Sequence, residues 1–151
     1  MTAKVETSVV IKKPIGVVFV FMADPEKDML WQSGVLSSRN TSGDPMGVGT
    51  TEEQEVLLLG RRIKSTLEVS EYEPNRKIEY KTILGPVPFK AGYIFDSLAE
   101  GDTKVTFYAE GDVGGFFKLA EPLVARVVQR QWEANLSTLK DLLEAQAEDL
   151  D

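Results

Sequence analysis

The sequence predicts an α+β fold in which one curved antiparallel sheet wraps one long C-terminal helix. Three observations predict it. A strand pattern opens the chain and two short helical segments, each opened by a proline, follow it. Six further strand patterns are then joined by tight turns, so antiparallel hairpins dominate. The chain closes on one helical pattern from Phe116 to Leu143, whose apolar arc is far wider than a coiled-coil seam and calls for a curved surface around it.

The elements follow in order. Lys4 to Ile11 alternates, with Val5, Thr7, Val9 and Ile11 on one face, which is a strand. Lys12-Lys13-Pro14 stops it, and Pro14 suits the first turn of a helix. Ile15 to Met22 is apolar enough for a strand, but Pro14 before it and Asp24-Pro25 after it favour a short buried helix. Pro25 opens a second short helix that Trp31 ends. Val35 to Ser42 is a weak strand, and Ser42-Gly43-Asp44-Pro45 and Gly47-Val48-Gly49 are turns. Thr50 to Leu59 and Arg62 to Tyr72 form a hairpin about Gly60-Arg61. Its tight turn places Gln54, Val56, Leu58, Ile63, Ser65, Leu67 and Val69 on one inner face. Lys77 to Leu84 alternates with Ile78, Tyr80, Thr82 and Leu84 inward. Gly85-Pro86-Val87-Pro88 breaks the chain stiffly before the strand Phe89 to Leu98, which carries Tyr93 and Phe95. Thr103 to Gly111 is the last strand, with Val105, Phe107 and Ala109 inward. This order is a helix-grip arrangement: a sheet of about seven strands, two short helices after the first strand, and the long helix, with residues 1–151 forming one domain.

On the long helix, Phe117, Ala120, Val124, Val127, Val128, Trp132, Leu136, Leu139, Leu142 and Leu143 share one broad side, and Gln129, Arg130, Glu133, Lys140 and Glu144 share the other. Gln131, Asn135 and Thr138 interrupt the apolar arc. A buried amide without a partner is costly, so these three either bond backbone or water, or look into a cavity. Pro122 fits a helix that starts near Leu119 and would kink one that starts at Gly115.

Composition excludes several chemistries. The net charge of −7 argues against nucleic acid and anionic membranes as partners, since both reward basic patches. The chain has no cysteine and no histidine, which removes disulfides, thiolate and imidazole metal ligation, a cysteine nucleophile and a Ser-His-Asp triad. No metal-binding or cofactor-binding pattern is present; Gly111, Gly114 and Gly115 lack the spacing and the lysine of a phosphate loop. No apolar run is long enough to span a bilayer, and Met1 to Glu6 lacks a signal-peptide core, so a cytoplasmic protein, monomeric or homodimeric, is the expectation.

Five motifs resemble the START-like (SRPBCC) superfamily. They are Val9-Val10-Ile11-Lys12-Lys13-Pro14 with Val18-Phe19, Asp24 and Trp31; Gly47-Val48-Gly49-Thr50; Val69 to Ile78 around Pro74; Gly101 to Thr106; and Leu136-Ser137-Thr138-Leu139-Lys140. The branch they resemble is the polyketide cyclase/dehydrase and lipid-transport family. The resemblance implies a hydrophobic small molecule held between curved sheet and long helix. It is specific for fold and poorly specific for function, because such folds host many activities.

The candidate ligand-binding residues are Trp31, Gln54, Leu67, Tyr80, Tyr93, Phe95, Phe107, Phe117, Val124, Val127, Val128, Gln131 and Asn135. Buried tyrosine hydroxyls need partners, which makes Tyr80 and Tyr93 better ligand contacts than plain core residues. Trp31 either seals the core or forms part of a cavity mouth. Glu52 falls with Gln54 and Ser65 on the inner face of its hairpin and would be a general base of raised pKa if it were buried, but the preferred reading leaves it in solvent at the strand end. The functional reading is a carrier or sensor of a lipid, polyketide or aromatic compound, with the cavity opening near Gly111–Gly115 and Gly85–Pro88. The alternatives are a polyketide cyclase/aromatase-type enzyme using Glu52, Tyr80, Tyr93 and Gln131, and a co-chaperone-like interaction protein with a filled core.

Overall fold

The computed structural model describes residues 3–43, 46–112, 114–117 and 121–150. Strand β1 (Ala3–Ile11) is followed by α1 (Ile15–Met22), a 3₁₀ turn (Pro25–Lys27) and α2 (Asp28–Trp31). Strands β2 (Val35–Asn40), β3 (Thr51–Leu58), β4 (Arg61–Glu73), β5 (Lys77–Leu84), β6 (Phe89–Ser97) and β7 (Thr103–Gly111) then lead to α3 (Gly114–Phe117) and α4 (Glu121–Leu150). All seven strands form one antiparallel sheet in the order β1-β7-β6-β5-β4-β3-β2. The meander β2 to β7 is therefore completed by β1, which pairs with β7 from Ala3↔Gly111 to Ile11↔Thr103. No helix among the described residues is long and apolar enough to cross a membrane.

Local chemistry accounts for the boundaries. Pro14 is the N-cap of α1, and Asp24 caps the 3₁₀ turn by accepting from the Glu26 amide at 3.0 Å. The β3–β4 hairpin turns on Leu59 and Gly60, both at positive φ, one residue earlier than expected. Two positive-φ residues match the right-handed twist of the flanking strands, which is why Gly60 sits there. Its register pairs Glu52 with Leu67, Gln54 with Ser65 and Val56 with Ile63. Leu84, expected inward, is exposed, because β5 runs past its pairing with β6, which stops at Lys81↔Lys90. Asp44 and Pro45 of the expected Ser42–Pro45 turn lie outside the described residues.

The expected span of the long helix runs partly outside the described residues: helix is described at Gly114–Phe117 and over Glu121–Leu150, and residues 118–120 lie outside the described set. Pro122 is the second residue of the described part of α4, a position a proline tolerates in a first helical turn.

α4 spans the mouth of the curled sheet from edge to edge. Along the β1 edge, Gln129 Nε2 donates to the Glu6 carbonyl at 2.9 Å and Lys140 Nζ to the Val10 carbonyl at 3.0 Å. The Lys12 amide, just past β1, donates to Glu144 Oε2 at 2.9 Å. At the other side, before β2, Gln131 Nε2 donates to the Ser33 carbonyl at 2.8 Å, and Asn135 Oδ1 accepts from the Ser33 amide at 2.9 Å and its hydroxyl at 3.0 Å. Helix side chains thus occupy backbone groups that an edge strand would otherwise leave unpaired.

The two halves of α4 pack differently. Leu136, Leu139 and Leu143 are fully buried in a core with Ile11, Val18, Phe19, Met22, Val69, Ile78 and Val105. Near its start, Val124 joins a smaller cluster with Ile63, Val87 and Phe117. A gap separates the two clusters.

Truncation should report this division. Leu139→Ala is expected to lower stability by roughly 2–5 kcal/mol through lost burial and a residual cavity. Val127→Ala, at a position 39% exposed, should change it by less than about 0.5 kcal/mol. Denaturant unfolding of both variants checks this; equal effects would contradict the described packing.

Candidate functional site

The gap is a cavity of about 180 Å³ between the sheet and the first half of α4. Its floor is made of small side chains. Ala91 on β6 faces Ala109 on β7, and Gly111 faces Phe89. Val56, Ile63 and Val87 form walls, Val124, Ala125 and Val128 form the helix side, and Phe117 closes one end. An adjoining inner compartment of about 70 Å³ is lined by Asp28, Glu52, Leu67, Tyr80 and Tyr93. Gln32, Gln54, Phe89, Ala91, Phe107 and Trp132 line both compartments.

An aromatic block stands where the compartments meet. Phe107 and Trp132 stack at 3.7 Å and 6°, and Trp132 meets Trp31 edge-on at 5.7 Å. Tyr93 packs against Trp31, Phe95, Phe107 and Trp132, and its hydroxyl accepts from Gln32 Nε2 at 3.2 Å. The edge-on pairs among these add about 0.5–1.5 kcal/mol each beyond area burial.

The turn before β2 is shaped by the helix amides. Gly34 has φ +86°, and a Cβ there would come within 2.7 Å of the Leu57 carbonyl oxygen and 2.9 Å of Gln131 Nε2. Glycine is required at that point both for its backbone conformation and for the close approach. Gln131 and Asn135 therefore do two things at once: they bond the Ser33 backbone and they line the cavity. Thr138 does neither; it is exposed and donates to the Ala134 carbonyl at 3.1 Å.

The inner compartment holds two buried acids. Glu52 is 2% exposed, and its Oε2 has no hydrogen-bond partner. Asp28 is buried and accepts from Ser38 Oγ at 2.9 Å. Burial, with the neighbouring Asp28 charge adding to it, pushes Glu52 up to about 8. Burial pushes Asp28 up to about 7, partly offset by the Ser38 hydroxyl. Tyr80 and Tyr93 are pushed well above the usual phenol range, by burial first and then by these carboxyls. Trp31 Nε1 is a second buried polar atom without a partner.

The structure distributes the sequence-predicted residues unevenly. Gln54, Phe107, Phe117, Val124, Val128, Gln131 and Asn135 line the larger compartment, and Gln54, Leu67, Tyr80, Tyr93 and Phe107 the inner one. Three lie apart from both. Trp31 is sealed in the core against Tyr93 and Trp132 rather than set at a mouth. Phe95 points to the α1 side of the core, where it meets Phe19 at 5.0 Å. Val127 lies at the flank of the helix arc and is exposed, because the arc is wider than the surface the sheet covers. Glu52 reverses its expected place: the Asn40↔Glu52↔Leu67 pairing puts it between β2 and β4, inside the sheet rather than at a solvated end. Asp28, Gln32 and Ser33 carry no signal of the site in the sequence, since α2 reaches the cavity only through the fold. Ala91, Ala109 and Trp132 do carry one: two small residues on inward positions beside aromatic neighbours, and a tryptophan on the helix arc. At the expected entrance, Gly111 and Val87 line the cavity, while Val113 lies outside the described residues.

A curled antiparallel sheet gripping one helix over a mainly apolar cavity is the START-like architecture. The chain belongs to the polyketide cyclase / dehydrase and lipid transport family, whose profile matches residues 2–144. Among solved structures, the chain is similar to the Zhui aromatase/cyclase from Streptomyces sp. R1128, with TM-score 0.78, 17% identity, and 97% of this chain and 96% of that one covered. A protein from Thermus thermophilus gives TM-score 0.78 at 18% identity, over 95% of this chain and 98% of that one. A START superfamily protein from Mycobacterium smegmatis gives 0.71 at 14% identity, over 99% of each. At these identities the likeness is one of fold. No curated protein matches the chain.

The two acids set a pH dependence. Their folded pKa values lie above the unfolded ones, so between about pH 4.5 and 8 the folded state holds more protons than the unfolded state. Stability therefore falls as pH rises through that window and levels off above it. Each acid contributes a slope of up to about 1.4 kcal/mol for every pH step of one. Glu52→Gln removes one of these protons from the balance. Its melting temperature relative to the unsubstituted protein is expected to rise between pH 5 and pH 9. A difference that stays constant with pH would contradict a protonated Glu52.

Proposed function

We propose that this protein binds a hydrophobic small molecule in the cavity between sheet and α4, as a carrier or sensor. The observation that carries the reading is the unfilled cavity of about 180 Å³, floored by Ala91, Ala109 and Gly111. A core selected for stability alone would fill it, since each methyl-sized void costs about 1 kcal/mol. Mainly apolar walls supply affinity at roughly 25 cal/mol per Å² of buried area, less the cost of association. The few polar groups, Gln54, Ser65, Gln131 and Asn135, orient the ligand. The family description, which includes lipid transport, supports the same reading. The cavity argues against an interaction protein with a filled core. The proposal treats residues 1–151 as one domain acting in the cytoplasm, with no nucleic-acid partner, as monomer or homodimer.

A second reading, an enzyme of the cyclase type, is favoured by one specific observation. Glu52 and Asp28 are buried acids of raised pKa on the wall of a small-molecule cavity, as general acid/base groups are. The resemblance to an aromatase/cyclase supports it at the level of fold.

Probe uptake tests the binding reading. N-phenylnaphthylamine, a neutral fluorescent probe, should bind saturably. Ala109→Phe or Ala91→Phe, which place a ring in existing space, should abolish uptake and leave the melting temperature equal or higher. Absence of uptake by the unsubstituted protein would overturn the reading.

A further inference from the structure

We propose that the preferred ligand is a hydrophobic amine, its ammonium group held by Glu52 and Asp28 in the inner compartment and its apolar body in the larger one. The proposal rests on the binding reading and adds to it the chemical class of the ligand.

Four observations carry it. The first is the orphaned Glu52 Oε2, an acceptor buried on a cavity wall with nothing to accept from. A buried carboxyl without a partner is expensive, and the residues around it offer that oxygen no donor. The second is Asp28, on the same wall, with a side-chain hydrogen bond only to Oδ2. The third is the absence of compensating charge: no lysine or arginine lines either compartment among the described residues. A carboxylate ligand would meet two acids and no cation, whereas an ammonium would meet two acceptors. The fourth is the aromatic lining by Tyr80, Tyr93, Phe107 and Trp132. Ring faces attract a cation, and the attraction grows when the cation is desolvated.

The sizes agree with this division. A compartment of about 70 Å³ exceeds the roughly 30 Å³ share of one water, which suits a head group. The larger compartment suits a short hydrocarbon. The charge balance is simple. An ammonium ion that docks on a protonated Glu52 leaves a carboxylate–ammonium pair and releases one proton to solvent. The second carboxyl stays protonated or hydrogen-bonds the same ammonium. Charge-assisted bonds of this kind are about twice as strong as neutral ones.

The test uses three ligands that differ only in head group: phenylbutylamine, phenylbutanol and phenylbutyrate. Calorimetry on the full chain at pH 7 should find the amine bound about tenfold or more tightly than the carboxylate. It should also find proton release, seen as a binding enthalpy that changes with the ionisation enthalpy of the buffer. Glu52→Gln, and independently Asp28→Asn, should lower the amine's affinity several-fold more than the alcohol's. If the alcohol binds and the amine binds no more tightly than the carboxylate, the amine assignment falls and the cavity reading stands. An amine preference that survives both substitutions also overturns the assignment. If none of the three ligands binds while the neutral fluorescent probe is taken up, the amine assignment falls and the cavity reading stands; if the probe is not taken up either, both fall.

Discussion

The structure depends on α4 being tied to both edges of one curled sheet. β1 and β2 are the outer strands, and each end of a sheet exposes backbone groups that invite pairing with another chain. Here Gln129, Lys140 and Glu144 engage the β1 side, and Gln131 and Asn135 engage Ser33 ahead of β2. The sheet must curl for one helix to reach both sides. The interior is then whatever space the curl and the helix leave between them.

That space is unequal along the helix. The C-terminal half of α4 meets the sheet where α1 and α2 also pack, so Leu136, Leu139 and Leu143 are buried from all sides. The first half has no such support. There the amide bonds to Ser33 set a fixed spacing, and the opposing strands carry alanine and glycine rather than leucine. The cavity is thus held open by hydrogen bonds at its margin and by small side chains on its floor. The stacked Phe107–Trp132 pair marks the boundary between the filled and the open parts.

Buried acids in such a place lower stability, because an ionised carboxyl loses its hydration without gaining a partner. An apolar residue would serve better than Glu52 if packing were all that mattered at its position. Its place among Tyr80, Tyr93 and Asp28 concentrates the polar groups of the inner compartment at one point, while the walls of the larger compartment remain mostly apolar. That asymmetry gives the site a direction along which an amphipathic molecule would lie.

Much of this is legible in the chain. Alternation on β1, β4 and β5, the prolines around α1 and the wide arc of the last helix are local signals, and each survives into the structure because it depends on neighbours a few residues apart. The common inner face of Gln54 and Ser65 is legible for the same reason, although the turn falls one residue earlier than the sequence predicts and so sets a different register. The site is legible only in part. Gln131 and Asn135 announce themselves as amides on an apolar arc, but their partner, Ser33, lies about a hundred residues away in sequence. Glu52 reads as a solvated strand end until β2 closes over one side of it and β4 over the other. Trp31, Phe95 and Val127 have the right chemistry for a cavity wall, and which way each faces depends on how far the sheet curls around the helix. Periodicity assigns a residue to a face of its own element. Long-range pairing and the curl of the sheet decide whether that face meets core, cavity or water, and no local pattern encodes them.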